Sequence, residues 1–199
     1  MTAGAPPGAA DVTYLLFISL FFTMWVGWFV LWRVMAARVK AVAQSEPPLS
    51  RLTHVVPLIL AGGLLSVPVP GLDGRFVPLA IWPAALGAAV TFAGLLVCVW
   101  ARFTLAGNWS DWVQIKQDHE LVVDGPYRWV RHPIYTGPLL MFAGTALAVG
   151  EWRGVLAVAI AAASFWRKLK LEEAVMRQQF GDGYDRYAEG ARALIPFVL

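Results

Sequence analysis

Apolar residues in this chain come in long unbroken blocks, not at the three-to-four-residue spacing of a soluble amphipathic helix. Five blocks stand out, over residues 13–35, 54–69, 77–103, 134–148 and 155–169. A helix needs about 20 apolar residues to cross a bilayer. The first block meets that length, the second lies near its lower limit, and the third is long enough to tilt. The pattern predicts an all-α fold, a polytopic membrane helical bundle of about five transmembrane helices. The last two blocks are separated only by residues 150–154, Gly-Glu-Trp-Arg-Gly, and so short a connection predicts an antiparallel helical hairpin. A Pro-containing connector at 45–48 and a Gly-containing return at 70–75 supply the earlier breaks. The tail from 170 onward is polar and helical at first, then closes on Ile-Pro-Phe-Val-Leu.

Composition sharpens this picture. The 199 residues are 58% hydrophobic and 15% charged, against about 25% charge in a typical soluble domain. One integral membrane domain over 1–199 is expected, with little room for a separate soluble unit. The net charge of +3 does not form a continuous basic stripe, so no nucleic-acid partner is expected. The basic residues instead flank the apolar blocks. With the N-terminus outside, fourteen fall on the cytoplasmic side and only Arg75 and Arg153 on the other. That bias predicts a cytoplasmic C-terminus, in the inner membrane of a bacterium or the endoplasmic reticulum of a eukaryote. Residues 1–11 contain no Lys or Arg, so the first block reads as a retained span, not a secretory signal. Cys98, the only cysteine, reads as a small core residue. Three scattered histidines without acidic partners at ligand spacing predict no metal centre. Trp28, Trp32, Trp82 and Trp152, near block ends, read as interfacial anchors.

Two polar clusters interrupt the apolar pattern. The first covers residues 119–137. Asp124-Gly125-Pro126 reads as a turn, and Pro133 suits the first turn of the following helix. Arg131 and His132 then fall at a helix N-terminus, a position suited to an anionic or polar ligand. The second cluster covers residues 167–187. Lys168 and Glu172 are four apart and share a helix face, whereas Glu172 and Glu173 point in different directions and make a poor carboxylate dyad. No dinucleotide glycine motif, phosphate loop or Ser-His-Asp set is present.

Leu121-Val122, Gly125, Tyr127, Arg131-His132-Pro133-x-Tyr135-x-Gly137, Glu172-Glu173 and Phe180-Gly181-x-x-Tyr184-x-x-Tyr187 together resemble the isoprenylcysteine carboxyl methyltransferase family and its phospholipid methyltransferase relatives. The resemblance covers about residues 114–196. It implies an S-adenosylmethionine site at the cytoplasmic ends of the last spans. Gln114, His119, Leu121, Val122, Tyr127, Arg131, His132, Pro133, Tyr135 and Glu172 would surround the cofactor. It also implies an acceptor-carboxylate role for the basic position four before Glu172, here Lys168 with Arg167 beside it. Lysine offers a point charge there in place of a bidentate arginine fork. For an amine acceptor, Glu173 or Tyr135 would be the base. Residues 1–106, the first three spans, would form the acceptor side, and 107–199 the cofactor side. The expected partners are the membrane and a lipophilic small molecule or lipid. Alternative readings are an NADPH-dependent reductase of sterol-reductase-like layout, a phospholipid amine N-methyltransferase, and a non-enzymatic scaffold or transporter.

Overall fold

The computed structural model describes residues 9–36, 42–45, 47–108, 114–116 and 121–195. Among the described residues, six α-helices carry the fold: α1 (Ala9–Ala36), α2 (Pro48–Ser66), α3 (Ile81–Leu105), α4 (Pro133–Val149), α5 (Trp152–Phe180) and α6 (Asp182–Gly190). Two short strands, β1 (Val42–Ser45) and β2 (Gln114–Lys116), pair antiparallel and tie the α1–α2 connector to the segment after α3. The fold is otherwise helical, as expected; besides this pairing the described residues hold two isolated bridges, Arg75 with Glu151 and Val130 with Arg192.

Helix boundaries follow local chemistry. α2 starts earlier than its apolar block because Pro48 pre-sets φ at the first helical position. It stops at Ser66 because Val67 precedes Pro68 and is pushed into extended backbone. α5 runs without a break through the polar residues after 169 and ends where Gly181 takes φ +51. Three helical stretches, Val12–Ala36, Leu49–Ser66 and Ile81–Leu105, are long and apolar enough to cross a bilayer. α4 is apolar but has 17 residues, at the short end of the spanning range. The hairpin expected for the last two blocks is present, with Gly150 in the left-handed region (φ +70) between α4 and α5.

Side-chain contacts fix the helix directions. On α3 and α4, Gly87 faces Gly144 and Gly94 faces Gly137, so the two backbones nearly touch in antiparallel register. A Cβ at Gly137 would lie 2.5 Å from the Cys98 sulfur and 2.8 Å from the Gly94 carbonyl. Small residues that let membrane helices approach this closely gain dispersion contacts. Cys98 is fully buried in this seam, as a core residue should be. α2 and α5 are also antiparallel: His54 bonds Ser164 (2.8 Å) near one end. At the other end Arg153 donates to the carbonyls of Leu64, Leu65 and Val67. α1 packs chiefly against α3, and Trp25 reaches α4, with its ring 5.0 Å from Phe142 and its N–H on Thr145. α1, α3 and α5 therefore run one way, and α2 and α4 the other.

Two buried arginines finish helix ends. Arg102 donates to Met35 and Ala106, the terminal carbonyls of α1 and α3. Arg153 does the same for α2. In both cases the cation lies where the helix dipole is negative.

Candidate functional site

The two polar clusters meet at one end of the bundle, where α4 begins and α5 leaves its apolar half. Gly125 (φ +57) opens a 3-10 turn, Gly125–Arg128, in which the Tyr127 N–H bonds Asp124. A side chain at 125 would strike Thr104, so the turn requires glycine. His132 caps α4 and Pro133 takes its first position, as the sequence predicts. The N–H groups of Arg131 and His132 are bonded to the carbonyls of Arg192 (2.6 Å) and Ala193 (3.0 Å). The chain after α6 thus lies along the residues that lead into α4.

Glu173 is the keystone. It is 1% exposed and receives Arg131 through Nε (2.9 Å) and Nη2 (2.8 Å). Arg131 also donates to the carbonyls of Ala188 and Ala191, fastening the end of α6 over the start of α4. The His132 ring lies between the two acids, with Nδ1 3.6 Å from Glu172 and Nε2 3.5 Å from Glu173. Glu172 and Glu173 point apart and form no dyad with each other, yet they grip one ring from two sides. The Tyr135 hydroxyl donates to Glu172, and the Tyr135 ring stacks between His132 (5.7 Å) and Phe165 (5.2 Å). Lys168 Nζ stands 5.8 Å from the Tyr135 ring centre.

Charge follows geometry. Burial works against ionising Glu173, but His132 and Arg131 outweigh it and hold the carboxyl down at about 2. Burial likewise opposes ionisation of Glu172, and His132, Lys168 and Tyr135 together bring its pKa below the usual carboxylate value. Burial would lower the His132 pKa, yet hydrogen bonds and charge from both acids raise it. The cluster is an imidazole gripped by two carboxylates, braced by an arginine.

A groove-like cavity of about 1960 Å³ begins at this cluster and continues along the bundle between α1 and α2. Leu121, Val122, Tyr127, Arg131, His132, Tyr135, Lys168 and Glu172 line it. Pro133 and Glu173 lie behind that wall, and Arg167 turns outward to Ser50 (3.3 Å). Gln114 falls in β2 opposite Ser45, and His119 lies outside the described residues. The structure adds His54, Met176, Tyr184 and Tyr187 to the lining. Trp28 and Trp32, expected as interfacial anchors, also line the cavity; with Phe17, Phe21 and Trp25 they form an aromatic stripe at helical spacing, a signal the sequence did offer.

The family model for phospholipid methyltransferases matches residues 82–183, from the first turn of α3 into α6, across the first cluster and most of the second. The chain belongs to the phospholipid methyltransferase family. Among curated family relatives, a protein-S-isoprenylcysteine O-methyltransferase of Schizosaccharomyces pombe is 34% identical over 83 residues, covering 41% of this chain and 35% of that protein. Protein-S-isoprenylcysteine O-methyltransferase B of Arabidopsis thaliana is 28% identical over 120 residues, covering 59% of this chain and 61% of the relative. A solved structure of the eukaryotic intramembrane Ras methyltransferase ICMT (isoprenylcysteine carboxyl methyltransferase) matches with a TM-score of 0.53 and 25% identity, over 78% of this chain and 55% of that one. The chain spans between about a third and three-fifths of the length of these proteins.

Proposed function

We propose that this family member is an integral membrane methyltransferase that uses S-adenosylmethionine and methylates a lipophilic acceptor, best fitted by the carboxylate of a prenylcysteine-like molecule. The observation that carries the reading is the single cavity joining the His132–Tyr135–Glu172 cluster to a long apolar groove. A polar cofactor and an apolar acceptor could meet there without leaving the bundle.

The lining residues suit that cofactor. Among the described residues, the buried hydroxyls of Tyr127 and Tyr184 have no hydrogen-bond partner within the chain. Burial pushes both phenols above their ordinary pKa, so they remain neutral donors. Glu172, held ionised, gives the pocket a negative charge suited to an ammonium or sulfonium. When bound, S-adenosylmethionine supplies an electrophilic methyl group. What the chain contributes is alignment and exclusion of water, an effect that reaches ~7–11 kcal/mol in well-oriented systems.

Acceptor chemistry follows from which groups reach the cavity. A carboxylate is already ionised at neutral pH and needs no base; Lys168, a lining residue, would hold its charge. An amine would have to lose a proton first. Glu173, the base expected from the sequence, lies behind the wall in the grip of Arg131, and the Tyr135 hydroxyl is committed to Glu172. This favours carboxylate over amine. The distribution of basic residues supports an orientation with this end of the bundle in the cytoplasm.

The test is methyl transfer itself. Purified protein in nanodiscs is given methyl-labelled S-adenosylmethionine with either a prenylcysteine analogue or phosphatidylethanolamine. Base-labile label on the prenylcysteine analogue is the expected result. Label on the amine lipid alone would overturn the acceptor assignment. No label at all, with thermal stabilisation by NADPH instead, would overturn methyl transfer in favour of a reductase.

A further inference from the structure

The groove does not stop at mid-bundle. On α5, Glu172 and Arg153 both line it. They are nineteen residues apart, which at 1.5 Å per residue is about 28 Å of helix. A bilayer's hydrocarbon core is about 30 Å thick, so the groove crosses the depth of both leaflets. Charged lining residues gather at its two ends. Between them the walls are Phe21 and Trp25 of α1, Leu58 and Gly62 of α2, and Phe142 of α4.

The far end is a built wall. Arg153 Nε bonds Glu151 at 2.5 Å while its Nη1 is spent on the carbonyls of Leu64, Leu65 and Val67 at the end of α2. Arg75 Nη1 lies 3.6 Å from Glu151, and its Nε donates to Val77. Backbone bonds from Phe76 to Gly150, Trp152 to Gly74 and Arg153 to Leu72 zip the α2–α3 loop onto the α4–α5 turn. Gly150 has φ +70, and a Cβ there would meet the Arg75 guanidinium at 2.5 Å. These groups are engaged with one another, so the network closes the groove; it does not offer a free cation for a second headgroup.

We propose that the groove takes one extended apolar chain longer than a single leaflet is deep, and that the Arg75–Glu151–Arg153 network is the stop that sets the longest chain accepted. This rests on the acceptor reading above and narrows it: the acceptor is a long single-chain amphiphile, with its reacting group near Lys168 and its apolar terminus against the α2–α3 loop. A chain that overruns the stop must break the ion pairs or leave the groove sideways. Gly62 is the natural handle on length, because a side chain added there meets nothing within 4 Å and projects into open space.

The experiment is a series of prenylcysteine-like acceptors of graded apolar length, assayed for kcat/KM in nanodiscs, with a photoreactive group at the chain terminus of one member about 22 Å long. From Lys168 to Arg153 is fifteen residues, about 22 Å of helix, and the wild type should lose about tenfold in kcat/KM once the apolar chain exceeds that length. Gly62→Leu should move that cut-off to shorter chains, and Arg75→Ala to longer ones. The terminal photoreactive group should label residues 75–84. A flat length profile in all three proteins, or labelling confined to peptides around His54 and Trp32, would overturn the stop. If no acceptor is methylated yet the label maps to 75–84, the methyl-transfer reading fails and the stop stands. If all lengths are methylated equally, the reverse holds.

Discussion

Replacing Glu173 by Gln removes one negative charge and keeps the shape. Glu173 is 1% exposed, and its loss leaves Arg131, itself only 13% exposed at the side chain, without its carboxylate. Breaking a buried ion pair from one side costs about 3–5 kcal/mol. A second route to the magnitude starts from the depression of this carboxyl from 4.5 to about 2, which corresponds to roughly 3 kcal/mol of preference for the ionised folded state. The two agree near 3 kcal/mol. For a chain of this length that is a drop of about 6–12 °C in Tm. The pH dependence gives the sharper check. A carboxylate whose folded pKa is depressed contributes fully above its unfolded value, here 4.5, and loses the contribution as pH falls through the folded value near 2. The gap between wild type and Glu173→Gln should therefore be constant above about pH 5 and shrink towards pH 2. Thermal unfolding in nanodiscs across that range measures it. A gap below 2 °C at pH 7, or one unchanged down to pH 2, would refute the keystone role.

Other consequences follow from the same contacts. Gly137→Ala forces a methyl against Cys98 and the Gly94 carbonyl, and should destabilise the bundle by about 1–3 kcal/mol, read as a lower Tm with helicity retained. His132, whose folded pKa is raised, should stabilise the cluster fully below pH 6.5, with the contribution lost as pH rises through the folded value; His132→Ala should flatten the Tm profile there. Lys168→Ala should raise KM for a carboxylate acceptor far more than it changes cofactor binding, since Lys168 approaches the cavity beside Tyr135; an unchanged KM would remove it from the acceptor site.

Much of this architecture is legible in the sequence because membrane spans announce themselves by composition. The α4–α5 hairpin follows from a five-residue connection between two apolar blocks, and the turn at Gly125 follows from Asp-Gly-Pro. The polar site was legible as two clusters but not as one assembly. Nothing in the spacing of Glu172 and Glu173 reveals that the His132 ring sits between them, forty residues upstream. Glu173 was expected as a base in the site, yet Arg131 draws it behind the wall, a contact set by how α5 rotates against α4. The cavity-lining role of Trp28 and Trp32 is hard to read from sequence, because an interfacial belt and a cavity wall both favour aromatic rings. The Arg75–Glu151–Arg153 network entered the sequence reading only as a charge count, since its geometry depends on two loops meeting across the bundle. The glycine seam between α3 and α4 had a readable signal in Gly87, Gly94, Gly137 and Gly144, each pair seven residues apart.

The account depends most on one claim: that the beginning of α4 and the end of α5 jointly hold S-adenosylmethionine. Calorimetric titration of S-adenosylhomocysteine into wild type, His132→Ala and Glu172→Ala, each first shown to be folded by thermal unfolding, tests it directly. The account predicts saturable binding to the wild type, with stabilisation of about 2.7 kcal/mol at 100 times Kd, and loss of binding in both variants. Equal binding by all three proteins, or none by any, would contradict it.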